Sequence, residues 1–172
     1  KFENNDYSPF ILQYCKTVEN ELIKKLFRAY IHSLIEREIN LEKEFKWDFE
    51  NKEGTNNPNN EYSYSRVKLF KQYMEKDPDK WFFELGKMGL NLQKLTGKSV
   101  KKSPLLQDLK VFILHYFDEN LIEKEFLNTL QKITVEYRNP SAHPDYISLE
   151  KAKVGQKEIR EVLKHIMNSY KG

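Results

Sequence analysis

Residues 8–38, SPFILQYCKTVENELIKKLFRAYIHSLIERE, decide the fold class. Phe10, Ile11, Tyr14, Cys15, Val18, Leu22, Leu26, Tyr30, Leu34 and Ile35 recur three and four residues apart, the spacing that lays one apolar stripe along a helix. Ser8 and Pro9 supply the start signal. Ser8 is the expected N-cap, and Pro9 takes a first-turn position where its missing N–H costs nothing. The stripe predicts a long helix from Ser8 to about Glu38.

The same periodicity recurs downstream. Residues 81–95, WFFELGKMGLNLQKL, carry it through Leu85, Met88, Leu92 and Leu95, with Gly86 and Gly89 spaced as close-packing points and Gly97 as the stop. Ser103-Pro104 repeats the start signal ahead of Leu105, Leu106, Leu109, Phe112, Ile113 and Phe117. A further helix is expected over Leu121–Tyr137, through Ile122, Phe126, Leu130 and Ile133, with Pro140 and Pro144 interrupting it. Ser148 can cap a last helix with Ala152, Ile159, Val162, Leu163, Ile166 and Met167 inward, its first half weakened by Gly155. Val67, Leu69, Phe70, Tyr73 and Met74 suggest a short helix stopped at Asp77-Pro78. Residues 51–60 are Asn-rich with Gly54 and Pro58, a composition that reads as an exposed loop, and the inserted segment is placed at about 47–64. The expectation is an all-α bundle of about five helices forming a single domain over 1–172, with its core at about 8–170 and without strand or internal repeat.

A chain of 172 residues can bury on the order of 70% of its unfolded surface in one core. The net charge is only +3, which argues against a uniformly cationic nucleic-acid binder and requires any basic footprint to be local. Two clusters qualify. Lys94, Lys98, Lys101 and Lys102 crowd one connection, and Lys151, Lys153, Lys157, Arg160 and Lys164 recur along the last helix. The plain alternative for both is a solvated surface. A lone cysteine excludes an intrachain disulfide and any multi-cysteine zinc site. With Ile11, Val18 and Leu22 at helical spacing, Cys15 reads as core. No apolar run suits a bilayer span and no signal peptide is seen, so a soluble cytoplasmic protein is expected. Lys1 in place of methionine suggests a piece of a larger protein.

Chemistry points to one place. Arg138-Asn139-Pro140-Ser141-Ala142-His143 falls between two helices, where a Pro-bounded turn is expected to display side chains. In an unbroken helix residues five apart diverge by about 140°, so a broken turn is needed to bring Arg138 and His143 together. Arginine offers a permanently charged fork matched to phosphate, and histidine ordinarily exchanges protons near neutrality. Metal-free RNA cleavage requires a base for the 2′-hydroxyl, stabilisation of the crowded phosphate and an acid for the leaving oxygen. One Arg–His pair does not readily supply all three, whereas a two-fold dimer offers two pairs across one interface. The structural alternative is an Arg-Asn-Pro turn that caps the preceding helix while His143 satisfies buried carbonyls. His32, His115 and His165 lack a sequence-near partner at metal-ligand spacing. Gly97-Lys98-Ser99 lacks both the earlier glycine and the strand of a phosphate-binding loop.

Arg138-Asn139-x-x-x-His143 resembles the R-x(4–6)-H signature of the HEPN family, with its usual polar residue after the arginine. The N-terminal Ser-Pro helix, the Glu-Leu-Gly-Lys-Met-Gly helix and the capped helix after the motif also look like HEPN sequences, over about Ser8 to Tyr170. The resemblance implies a helical bundle and a ribonuclease that needs neither metal nor cofactor. It further implies a site shared between the subunits of a homodimer, and roles in toxin systems, antiviral defence or abortive infection. It assigns Arg138 and His143 as catalytic and Asn139 as positioning. An acidic residue of the first helix, Glu19 or Glu21, would support them. RNA would be the substrate, held in part by Lys98, Lys101, Lys102, Lys151 and Lys153, and an antitoxin or regulatory domain is a possible partner. A non-catalytic RNA-binding or dimerisation module of the same fold is the alternative. Tyr146 stands three residues after His143, so the chemistry of the Arg…His-x-Tyr subgroup is not transferred.

Overall fold

The computed structural model describes residues 5–50, 70, 84–98, 100–143 and 146–172. The first helix, α1, runs without a break through Ser8–Leu22, a π-helical stretch Ile23–Arg28, and Ala29–Glu36. Its start differs from expectation by one residue. Ser8 is already helical, and the cap comes from Asp6, whose Oδ1 accepts from the Ser8 N–H (2.9 Å) and hydroxyl (2.6 Å). The stripe faces the core as expected at Ile11, Cys15, Val18, Leu22, Leu26, Tyr30 and Leu34, all fully buried. Phe10 and Ile35 are exceptions, 46% and 40% exposed at the two ends of the helix.

Two short helices follow, α2 (Leu41–Glu44) and α3 (Lys46–Glu50), so residues 47–50 belong to a helix and not to the inserted loop expected from 47 onward. The remainder of that loop and the short helix expected around Val67–Met74 lie outside the described residues, except for Phe70, which is helical and buried. Helix α4 (Leu85–Lys94) packs on a later helix through its two glycines: a Cβ at Gly89 would stand 3.7 Å from Leu130, and one at Gly86 would stand 3.3 Å from Thr134. Helix α5 (Pro104–Tyr116) starts as expected, with the Ser103 hydroxyl accepting from the Leu106 N–H. Buried Asp48 of α3 adds to that cap, bonding the Ser103 hydroxyl and accepting from the Leu105 N–H at 3.0 Å.

The helix expected over Leu121–Tyr137 is displaced. Glu119–Ile122 forms a 3-10 turn, Glu123 is extended, and α6 begins at Lys124. It then runs through Lys124–Ile133, a π-helical stretch Thr134–Arg138, and Asn139–Ala142. Pro140 therefore does not end the helix. The N–H of Asn139 bonds the Thr134 carbonyl five residues back, and this wider turn relieves the clash a proline ring makes with the carbonyl four residues before it. Helix α7 (Leu149–Ser169) is capped by Ser148 as expected and is continuous through Gly155. Met167, expected inward, is 46% exposed.

The described residues are thus all helical apart from turns and one isolated bridge between Phe117 and Tyr170, with more helical segments than the five expected. Helices α1 and α7 lie side by side and parallel. The Tyr7 N–H donates to the Ile147 carbonyl at one end, Gln156 reaches the Tyr14 hydroxyl midway, and Lys25 reaches Met167 further on. No described helix is long and apolar enough to cross a membrane.

Candidate functional site

Glu19 and Arg138 meet at the junction of α1, α4 and α6. The Arg138 Nε donates to Glu19 Oε1 at 3.0 Å, and the same oxygen accepts from the Leu85 N–H at 3.1 Å. The Glu19 side chain is 2% exposed and that of Arg138 19%. One carboxylate therefore serves two purposes. It neutralises a guanidinium, and it satisfies an orphan amide at the start of α4, where helix geometry leaves donors unpaired and favours negative charge. Bonded through Nε, the guanidinium has its two terminal nitrogens without a hydrogen-bond partner among the described residues.

The local fold explains why these residues coincide. Asn139–Ala142 and the π-helical stretch before it both pack against α1. Tyr137, next to Arg138, is anchored on α7: its ring lies over Gly155, where a Cβ would come within 2.9 Å of two ring carbons. Its hydroxyl donates to Glu158, which also binds Lys132. Burial, with the Glu158 bond adding to it, pushes the Tyr137 phenol up to about 12. Cys15, one turn before Glu19, is core as expected. Burial pushes its thiol up to about 12, with the Glu19 charge acting in the same direction and Arg138 opposing it.

His143 lies at the other end of the motif. It caps Asn139–Ala142 in an extended conformation, with its N–H donating to the Asn139 and Pro140 carbonyls. It is exposed, and its ring makes no hydrogen bond to a described residue. The helix is unbroken from Arg138 to Ala142 and ends at His143, so the motif is not the Pro-broken turn expected. Asn139 is exposed and engaged through its backbone.

Of the two acidic candidates, the structure brings only Glu19 to the arginine. Glu21 stands 3.7 Å from Lys25, since two residues along a helix is about 200° around it. Lys98, Lys101 and Lys102 are exposed in the connection between α4 and α5. Lys151 and Lys153 are exposed too but point to nearly opposite sides of α7, for the same geometric reason. His165 stacks on Phe126 at 4.4 Å and bonds the Asn120 carbonyl. The groove beside it, about 300 Å³ and edged by Glu123, Glu125 and Glu161, contains neither Arg138 nor His143. Among the described residues no group of three His, Cys, Asp or Glu side chains could hold a metal ion.

Sequence reading missed Asp6, which ties the start of α1 to the segment after the motif by accepting from the Ile147 N–H at 3.1 Å. Its position two residues before the Ser-Pro step was the available signal. It also missed Tyr14, whose hydroxyl accepts from Gln156 and Arg160. Comparison with protein-family models, with curated proteins and with solved structures finds no match to this chain.

Proposed function

We propose that the chain is a HEPN-type endoribonuclease acting as a homodimer, with Arg138 and His143 at a site completed by a second copy. The observation that carries this reading is the state of the motif. A guanidinium is fixed through Nε to a buried carboxylate with its outer nitrogens left over, and an exposed imidazole follows five residues later. A fork held in this way meets a phosphate without first losing rotamer freedom. A single chain supplies one guanidinium and one imidazole, and a two-fold axis would supply an acid as well as a base around one phosphate.

In this reading one imidazole takes the proton of the ribose 2′-hydroxyl. The 2′-oxygen forms a bond to phosphorus, the bond to the 5′-oxygen breaks, and the partner subunit's imidazolium protonates that oxygen. The product carries a 2′,3′-cyclic phosphate. Arg138 balances the charge that develops on the phosphate, Glu19 holds Arg138, and Asn139 is available to position substrate from the exposed side of the same turn. Toxin or antiviral-defence use, and an antitoxin or regulatory partner, follow only from the family resemblance.

The test is cleavage of labelled RNA in the presence of a chelator. His143→Ala removes an exposed ring, so it is expected to stay folded and to lose cleavage by about a hundredfold or more. Arg138→Ala is less informative alone, because it strands the Glu19 carboxylate and costs about 3–5 kcal/mol of stability. The double variant Glu19→Gln/Arg138→Gln removes both charges and separates folding from chemistry. Cleavage by His143→Ala at the wild-type rate would end the proposal. The same ion pair favours a second reading, a non-catalytic RNA-binding or dimerisation module in which Glu19 and Arg138 only lock three helices together. RNA affinity and cellular effect would then survive His143→Ala.

A further inference from the structure

The long helix α7 shows a regularity that the motif does not use. Lys153, Lys157, Arg160 and Lys164 are all exposed, and at steps of four, three and four residues they fall within an arc of about 60° on one face. A helix rises 1.5 Å per residue, so this face presents a positive charge every 5–6 Å over roughly 17 Å. Aromatic rings flank the line. Tyr14 of the parallel α1 lies under Arg160, its ring 5.5 Å from the guanidinium carbon, and its hydroxyl accepts from both Gln156 (2.7 Å) and Arg160 (3.1 Å). Phe10, 46% exposed, meets the Tyr14 ring edge-on at 5.0 Å. Three acids lie near the line: Glu150 is exposed one turn before Lys153, Glu161 pairs with Lys164 at 2.8 Å, and Glu21 of α1 pairs with Lys25 at 3.7 Å. Lys153 and Lys157 have no ion-pair partner among the described residues.

We infer that the face shared by α1 and α7 binds single-stranded nucleic acid, its phosphates along Lys153, Lys157, Arg160 and Lys164 and its bases on Phe10 and the Tyr14–Arg160 pair. An evenly spaced row of cations suits a polymer with evenly spaced anions. The exposed Phe10 ring, and the Arg160 guanidinium plane backed by the half-buried Tyr14 ring, suit unpaired bases, which stack without regard to sequence. A duplex hides its base faces, and an acidic protein or an anionic membrane has no use for the rings in that role. The choice of RNA over DNA rests on the nuclease reading above; the binding face does not.

The test uses the whole chain carrying His143→Ala, so that the probe is not consumed, with a fluorescent oligouridine followed by anisotropy over a range of salt. Lys153→Glu/Lys157→Glu is expected to weaken binding by about tenfold or more, and each lysine changed to glutamine should lower the slope of log affinity on log salt by about 0.7. Phe10→Ala should weaken oligouridine several-fold while leaving the salt slope unchanged. The charge-matched variant Lys110→Glu/Lys124→Glu, on other helices, should bind within about twofold of the parent. Unchanged melting curves establish that each variant is folded. Equal loss from the control pair would overturn the inference, as would a duplex, poly-glutamate or phosphatidylserine vesicles binding as tightly as oligouridine through the same lysines. Binding with no cleavage by the wild type leaves this face standing and removes the nuclease. Cleavage with binding indifferent to these lysines does the reverse.

Discussion

A Cβ added at Gly155 would meet the Tyr137 ring at 2.9 Å, closer than side-chain contacts tolerate, and the ring has little room to retreat. Tyr137 is 3% exposed and tethered through its hydroxyl to Glu158. In an exposed helix, glycine to alanine would gain up to about 1 kcal/mol, which is why glycine here reads from sequence as a weakness. Overpacking at a fixed ring costs about 1–3 kcal/mol, so the net sign reverses. Gly155→Ala is therefore expected to lower the thermal midpoint, measured by circular dichroism. A rise would mean that the ring yields and that Tyr137 does not fix its neighbour Arg138. Cys15 was easier to read, since a thiol at helical spacing with three aliphatic residues has little alternative to burial.

At the scale of the helix, the two π-helical stretches are the feature that spacing alone could have revealed. Val18, Leu22, Leu26, Tyr30 and Leu34 are all fully buried and lie four apart without a three-residue step. In a regular α-helix each such step drifts about 40° around the axis, so the stripe would wind away from the core. A wider turn at Ile23–Arg28 absorbs that drift. Ile133, Tyr137 and Ser141 repeat the pattern across Thr134–Arg138. The long helix, the α4 glycines and the Ser103 and Ser148 caps were legible because each is a local rule. The course of the motif was not legible, because the rule that proline breaks helices was overridden by the π turn just before it. The partner of Arg138 was only half legible, since Glu19 and Glu21 differ in register and not in type. Deleting Val135, 54% exposed within the π stretch, would close that turn to regular α-helix and keep Arg138 in register with Glu19, because a π turn holds one residue more than an α turn. The cost then falls on Pro140, whose ring would meet the carbonyl four residues before it, and the deletion is expected to lower stability in denaturant titration by about 3 kcal/mol. Val135→Ala should stay within about 0.5 kcal/mol. Equal stability of the two variants would show that the π turn is not what lets the helix pass Pro140.

Across the whole molecule, α1 is held at both ends by aspartates outside it, and both make the fold sensitive to acid. At its start, the Ser8 hydroxyl and amide and the Ile147 amide hold the Asp6 carboxyl below the ordinary value, against a smaller opposing effect of burial. Near its end, Asp108 of α5 takes the Arg37 fork at 2.9 and 2.8 Å and the Tyr30 hydroxyl at 2.9 Å. Burial raises that carboxyl, but the Arg37 and Tyr30 bonds together outweigh it and leave it lowered. Tyr30 is shifted the other way, by burial first and by Asp108 second, so it stays a hydrogen-bond donor throughout. A carboxyl whose folded pKa lies below its unfolded value stabilises the fold above the unfolded value, near 3.8. That contribution is lost as pH falls through the folded value. The urea midpoint should therefore hold from neutrality to about pH 5 and fall steeply below about pH 4. Asp108→Asn, keeping shape without charge, should lower the midpoint at neutral pH and flatten the acid fall, and Asp6→Asn should do the same more weakly because its site is exposed. An acid fall as steep in the double variant as in the wild type would place the sensitivity in carboxylates other than these two.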